Sequence, residues 1–283
     1  MTTLFDSTAT VKAELNKQKY IASDEIATIV YLAQKLGKPL LAEGPAGVGK
    51  TELAKAIANA TGRELIRLQC YEGLDESKAL YEWEYSKQLL YTQLLRDKLN
   101  DTLGKADTLA GAADQLAKEE DVFFSERFLL KRPLLKAILS DQPSVLLIDE
   151  IDKADIEFPN DLLHELDKMS FYVYETGETI TATQRPIVII TSNNEKELPD
   201  AFLRRCFFHY IEFPDEATMR EIIDVHFANI STTLVNEALQ VFFKLRQIPG
   251  LKKLPSTSEL IDWLSLLMAD DMPEDILRNT DKS

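Results

Sequence analysis

Residues 44–51 read GPAGVGKT, lying between a short apolar run, Pro39 to Glu43, and a segment whose apolar residues Leu53, Ala54, Ile57 and Ala58 return at helical spacing. Gly44, Gly47 and Gly49 lack a Cβ, so the chain can curl until several backbone N–H groups face one anion. A helix that opens at Lys50 then points its positive end at the same anion. In that setting Lys50 reaches the outer phosphates of a nucleoside triphosphate and Thr51 holds Mg²⁺. Gly44, Pro45, Ala46, Gly47, Val48, Gly49, Lys50 and Thr51, with Glu52 after them, are therefore the expected ATP-binding segment. Chance supplies the four fixed positions of this pattern in about 1% of chains of this length at ordinary residue usage.

Working outward, Ile26, Ile29, Val30, Ala33 and Leu36 predict a helix capped by Ser23 or Asp24 and ended by Gly37. The dozen residues at the start are polar, and a frayed terminus is expected before Tyr20 and Ile21. Leu65 to Cys70, Val145 to Ile148, Ile187 to Thr191 and Phe207 to Phe213 read as further strands, the middle two as fully buried parallel ones. Strands alternating with helices predict a doubly wound parallel five-stranded α/β sheet, with its ligand at the carboxyl ends of the strands. Two stretches leave that rhythm: an Ala-, Asp-, Lys- and Leu-rich segment of about 97–121, read as an exposed helical insertion, and an alternating segment of about 171–183, read as a β-hairpin. Past Phe213 only helical patterns remain, the third opened by a capping box of Ser256 and Glu259. The expected division is an α/β domain over 1–213 and a small all-α lid domain with its tail over 214–283.

The run VLLIDE puts Asp149 and Glu150 at the end of a buried strand, beside the phosphate turn. There Asp149 is the candidate for orienting hydrated Mg²⁺ and Glu150 for polarising the attacking water. A third strand ends in TSNN, bringing Asn193 to the same edge, where a neutral amide can fix the water or the γ-phosphate; Asn is also an ordinary turn residue. Arg204 and Arg205 precede the last strand, and an arginine supplied across a subunit boundary stabilises charge in the transition state.

A formal charge of −15 over 283 residues, with no Lys/Arg cluster long enough for a basic stripe, argues against nucleic acid as a direct partner. No leader pattern occupies the first thirty residues and no run reaches about 18 apolar residues, so a soluble cytoplasmic protein without membrane contact is expected. Cys70 and Cys206 stand far apart and read as reduced, mostly buried residues; His164, His209 and His226 show no metal-ligand spacing.

The order GPAGVGKT, VLLIDE, TSN, paired arginines and a helical tail resembles an AAA+ ATPase of the P-loop NTPase class. More narrowly it is similar to the MoxR group and, within it, to the branch containing the CoxD accessory proteins. The stretch LIRLQCYEGLDESKALYEWEY, the FLLKRPLL segment, the hairpin before Asn193 and the ending LPDAFLRRC carry that resemblance over about Tyr20 to Met268. It implies that Asn193 is the first sensor, that Arg205 (or Arg204) is the arginine finger, and that Tyr20 and Ile21 line the adenine pocket. It also implies ring assembly, typically a hexamer, and chaperone-like work in enzyme maturation or metal-centre assembly, often beside a partner with a von Willebrand factor A domain. Where many relatives carry a lid arginine that contacts the γ-phosphate, this chain reads PSTSEL, with Lys252 and Lys253 the nearby cations. A DNA-directed motor and a nucleotide-sensing switch with little turnover are the competing expectations.

Overall fold

The computed structural model describes residues 5–95, Thr108 and residues 124–269. The helices α1 (Thr8–Lys17) and α2 (Asp24–Leu36) come first and pack together. Here the structure corrects the frayed start read from composition. Ser7 caps α1 by accepting the Thr10 N–H at 3.1 Å, and Val11 and Leu15 are fully buried. Four residues apart, they stack on one helix face, so two apolar side chains anchor a segment whose average is polar.

The strands and helices that follow are β1 (Leu40–Glu43), α3 (Lys50–Thr61), β2 (Glu64–Gln69), α4 (Glu76–Leu80), β3 (Tyr81–Trp83) and α5 (Tyr85–Leu94). Then come β4 (Leu129–Lys131), α6 (Pro133–Ile138), β5 (Ser144–Asp149), α7 (Phe158–Asp161) and α8 (Leu163–Lys168). After them run β6 (Ser170–Val173), β7 (Glu178–Thr181), β8 (Ile187–Ser192), α9 (Asp200–Leu203) and β9 (Phe207–Tyr210). Three helices close the chain: α10 (Glu216–His226), α11 (Thr232–Arg246) and α12 (Thr257–Ala269). The polar stretch of about 97–121 lies outside the described residues apart from Thr108.

Five strands form one parallel sheet in the order β2-β5-β8-β1-β9, the doubly wound α/β sheet expected. Its two faces bury alternate residues, as period-two geometry requires. Leu41, Ile66, Leu68, Leu146, Ile148, Val188 and Ile190 enter a core with α6 and α9, whereas Leu40, Ala42, Val145, Leu147, Ile187 and Ile189 enter another with α1, α2 and α3. β5 and β8 are buried along their whole length, which explains the continuous apolar runs Val145 to Ile148 and Ile187 to Ile190 within them. Two small antiparallel pairs stand apart from the sheet, β3 with β4 and β6 with β7.

Helices α10, α11 and α12 bury Met219, Ile223, Leu239, Phe242 and Leu264 in a third core of their own. Phe213, just after β9, packs against both this core and that of α1 to α3. The guanidinium of Arg246, at the end of α11, lies 3.3 Å from the centre of the Phe213 ring and bonds the Pro255 carbonyl. That cation-π contact and hydrogen bond fix the approach to α12.

Candidate nucleotide site

β1 and β8 are neighbours whose chains leave the sheet on opposite sides, β1 into α3 on one face and β8 through α9 on the other. A crevice opens at such a point, and residues 44–51 and Asn193 lie on its two sides. Gly49 has φ +92° and caps α3, so the helix begins at Lys50 with its first N–H groups turned into the loop. Gly47, at φ +80°, lies under the start of α12: a Cβ there would stand 2.2 Å from the Cβ of Ser256. Only glycine lets the helical unit approach the phosphate loop so closely.

Lys50 is buried, and its ammonium donates to the carbonyl oxygens of Gly44 at 2.6 Å and Pro45 at 2.8 Å and to Asn193 Oδ1 at 2.8 Å. Two residues 143 positions apart are thereby joined at one point. Burial pushes the Lys50 ammonium below its ordinary range, opposed by the nearby charges of Asp152, Asp149, Glu150 and Glu43. Thr51 Oγ1 donates to Asp149, whose two oxygens lie 3.0 and 3.3 Å away. Asp149 is almost wholly buried, a costly place for a carboxylate without partners.

It has two further partners that the sequence reading did not single out. Thr191 Oγ1 donates to Asp149 Oδ1 at 2.6 Å, and Arg67 Nη2 donates to Asp149 Oδ2 at 2.5 Å. The Thr191 hydroxyl also accepts the Glu150 N–H at 2.8 Å, so one side chain ties both acidic residues to β8. Glu150 itself sits in the left-handed region at φ +58°, ψ +52°, a strained conformation for a residue with a Cβ. Its carboxylate accepts from Gln69 Nε2 at 2.9 Å and pairs with Lys153 at 3.2 Å. Asp152, also buried, accepts the N–H groups of Asn193 at 3.0 Å and Glu195 at 2.9 Å, and so shapes the loop that carries Asn193. The signals were present: Arg67 and Gln69 alternate along LIRLQC on one face, Thr191 is a polar residue in a buried strand, and Asp152 follows Glu150 by two.

Tyr20 is buried, with its ring 3.5 Å from where a Gly49 Cβ would stand, and Ile21 beside it is half-buried. Burial raises the Tyr20 hydroxyl, helped by the charge of Glu52. The two arginines lie elsewhere. Arg205 donates to Asp167 Oδ2 at 2.7 Å and to the Ala201 carbonyl at 3.0 Å, while Arg204 ends α9 and is exposed. Neither is brought to Lys50 or Asp149 by any contact among the described residues.

The donor set suits Mg²⁺ held together with phosphate, because a hydroxyl and a carboxylate meet at one point and this ion usually takes only one or two protein oxygens there. No group of three or more His, Cys, Asp or Glu side chains is placed to hold a metal among the described residues. Nor is any helix among them long and apolar enough to cross a membrane.

Comparison with known proteins agrees with this geometry. Two Lon proteases, from Nitratidesulfovibrio vulgaris and Sorangium cellulosum, are 46% and 47% identical over 55 residues, 19% of this chain; the chain spans only 7% of each. The S. cerevisiae Hsp104-ADP complex superposes with a TM-score of 0.55 at 17% identity, covering 96% of this chain and 50% of that one, a likeness of fold. The family model described as "ATPase family associated with various cellular activities (AAA)" matches residues 40–215, more than half the chain, from β1 through the phosphate loop, the acids at the end of β5 and Asn193. With the sheet order and these residues at its carboxyl edge, the chain belongs to the AAA family of ATPases.

Proposed function

We propose that this protein is a MoxR-type AAA+ ATPase, in which Mg²⁺-dependent ATP hydrolysis at a site shared between subunits of a ring remodels a client protein. The observation that carries the proposal is the Lys50 ammonium held between the phosphate loop and Asn193, beside the Thr51 and Asp149 pair. The loop amides and Lys50 bind the phosphates, Thr51 and Asp149 hold the metal, and Asn193 positions the γ-phosphate or the water. A bound Mg²⁺ would be held by Thr51 and Asp149 and would supply neutralisation of the charge that develops on the phosphate. Glu150 lies at the open end of this line, held by Gln69 and Lys153, where its carboxylate takes a proton from the attacking water. Tyr20, against Gly49, lines the base pocket together with Ile21 beside it.

The ring is proposed because neither arginine contacts its own subunit's phosphate loop among the described residues. Arg205 points to Asp167 rather than to its own phosphate loop, so it serves the neighbour's site, with Arg204 the alternative. The lid, over about 214–269, lays Ser256 on Gly47 and so registers what the loop holds. Maturation of a metalloenzyme, with a partner bearing a von Willebrand factor A domain, is the client work proposed.

The test is a pair of substitutions. Glu150→Gln retains ATP binding and loses turnover by about 100-fold or more, the scale of general acid–base catalysis. Arg205→Ala does likewise through lost charge stabilisation. Turnover at the wild-type rate in either variant refutes the assignment. Capture on Glu150→Gln with ATP then addresses the client, and recovery of nucleic-acid enzymes instead of a metalloenzyme overturns the maturation role.

A further inference from the structure

At the opposite end of the sheet from Lys50, a cavity of about 160 Å³ opens where α2 and α3 end and β8 begins. Its charged lining is cationic throughout: Lys38, Arg63 and Arg185 face it, and among the described residues no carboxylate does. In a chain of net charge −15 this is a local reversal of sign.

Cations near helix C-termini ordinarily serve the last carbonyls of the helix. That task is already performed here. The N–H groups of Gly37 and Lys38 bond the carbonyls of Gln34 and Ala33 at the end of α2. Those of Gly62 and Arg63 bond the carbonyls of Asn59 and Ala58 at the end of α3. Arg185 donates Nε to the Gly37 carbonyl at 2.8 Å and its two terminal nitrogens to the carbonyls of Asp167 and Leu166, which fixes it as a rigid wall.

Arg63 differs. It is half-buried, and among the described residues its guanidinium has neither a hydrogen bond nor an ion pair; burial lowers it with no charge to oppose the shift. Gln34, which lines the same cavity, has a buried Oε1 without a partner. A half-turn of that amide offers the cavity a donor or an acceptor.

We infer that this cavity is a second anion site, which takes one phosphate- or carboxylate-sized oxyanion on the guanidinium of Arg63, with Lys38 and the Gln34 amide completing the contact. The volume suits such a group: a cavity of about 150 Å³ admits a benzene-sized molecule. A planar guanidinium with all its donors open matches an oxyanion in a two-point contact. The oxyanion has two sources, free phosphate or an acidic side chain of a second copy of this acidic chain.

Calorimetric titration of inorganic phosphate at constant ionic strength into Lys50→Ala, which weakens the phosphate loop, isolates the site. One-to-one binding that Arg63→Gln weakens at least tenfold in that background establishes free phosphate. If phosphate does not bind, sedimentation of otherwise unaltered chains decides: self-association reduced at least tenfold by Arg63→Gln establishes the carboxylate of a second copy. No effect of Arg63→Gln on either measurement overturns the inference. Should Arg63→Gln melt early, Lys38→Gln, on an exposed residue, repeats both arms with a weaker expected loss, and a null result there overturns it equally. Because both arms compare proteins that share the same Lys50 state, failure here is independent of the nucleotide site.

Discussion

Thr191 carries two hydrogen bonds on one oxygen, and both ends matter to the acids at the end of β5. Thr191→Val keeps the shape and removes the hydroxyl, leaving Asp149 and the Glu150 N–H each short of a partner. Unsatisfied buried groups cost about 1–3 kcal/mol each, and each kcal/mol lowers the melting temperature by about 2–4 °C in a chain of this size. Thermal melting is expected to fall by several degrees, and the Mg²⁺ requirement for turnover to rise; an unchanged Mg²⁺ titration contradicts the second point. Gly47→Ala meets both a positive φ and the Ser256 Cβ, so it is expected to push α12 away and weaken ATP binding, measured by nucleotide titration. The phosphate loop and the VLLIDE acids were legible because each is local: glycines where the backbone bends back, and an apolar run that stops at charge. Thr191, Arg67 and Asp152 were not, since their partners arrive through strand register, which sets Gln69 opposite Asp149 and β8 beside β5. No sequence window holds that adjacency.

Among the elements, α1 and α12 make opposite points. α12 announced itself by its capping box, and the structure has it: Ser256 N–H and Oγ reach Glu259 Oε2 at 2.7 and 2.9 Å, and Glu259 N–H returns to Ser256 Oγ at 3.3 Å. The Lys253 ammonium, then the Ser256 N–H and hydroxyl, hold the Glu259 carboxyl down at about 2 from its ordinary 4.5. A lowered carboxyl stabilises the fold fully above its unfolded value and loses that contribution as pH falls through the folded one. The stability gap between wild type and Glu259→Gln is therefore expected to be modest at neutral pH, given the exposure of the side chain, and to close between about pH 4.5 and 2. A gap that stays constant across that window, followed by urea unfolding, contradicts the ionic account. α1 gave no such signal. Val11 and Leu15 are too few to lift a polar average, yet Leu15→Ala is expected to cost about 2–5 kcal/mol, because a buried leucine leaves a cavity. Urea unfolding measures that loss.

For the whole molecule, the separation of Glu150 from Arg205 predicts complementation. Glu150→Gln and Arg205→Ala are each expected to be inactive alone. Mixed, they form interfaces in which an intact Arg205 from one chain meets an intact Glu150 from the other, and turnover returns in part. Titrating one variant into the other tests this; activity that never rises above the two baselines places both residues in one subunit's own site. If the site is shared between subunits as proposed, specific activity is expected to increase with chain concentration, and a rate per chain that stays constant contradicts it. A parallel five-stranded sheet was readable in advance because buried apolar runs alternate with helices, whereas its strand order and the docking of Ser256 on Gly47 were not, as both depend on how elements far apart in sequence come to rest. Phe213 has a mechanical consequence for that docking. Shared by two cores and clasped by Arg246, it makes the joint a spring rather than a loose pin. Any swing of the helical unit would peel an aromatic ring from one side into water, at about 25 cal/mol for each Å² uncovered, and so would meet a restoring force.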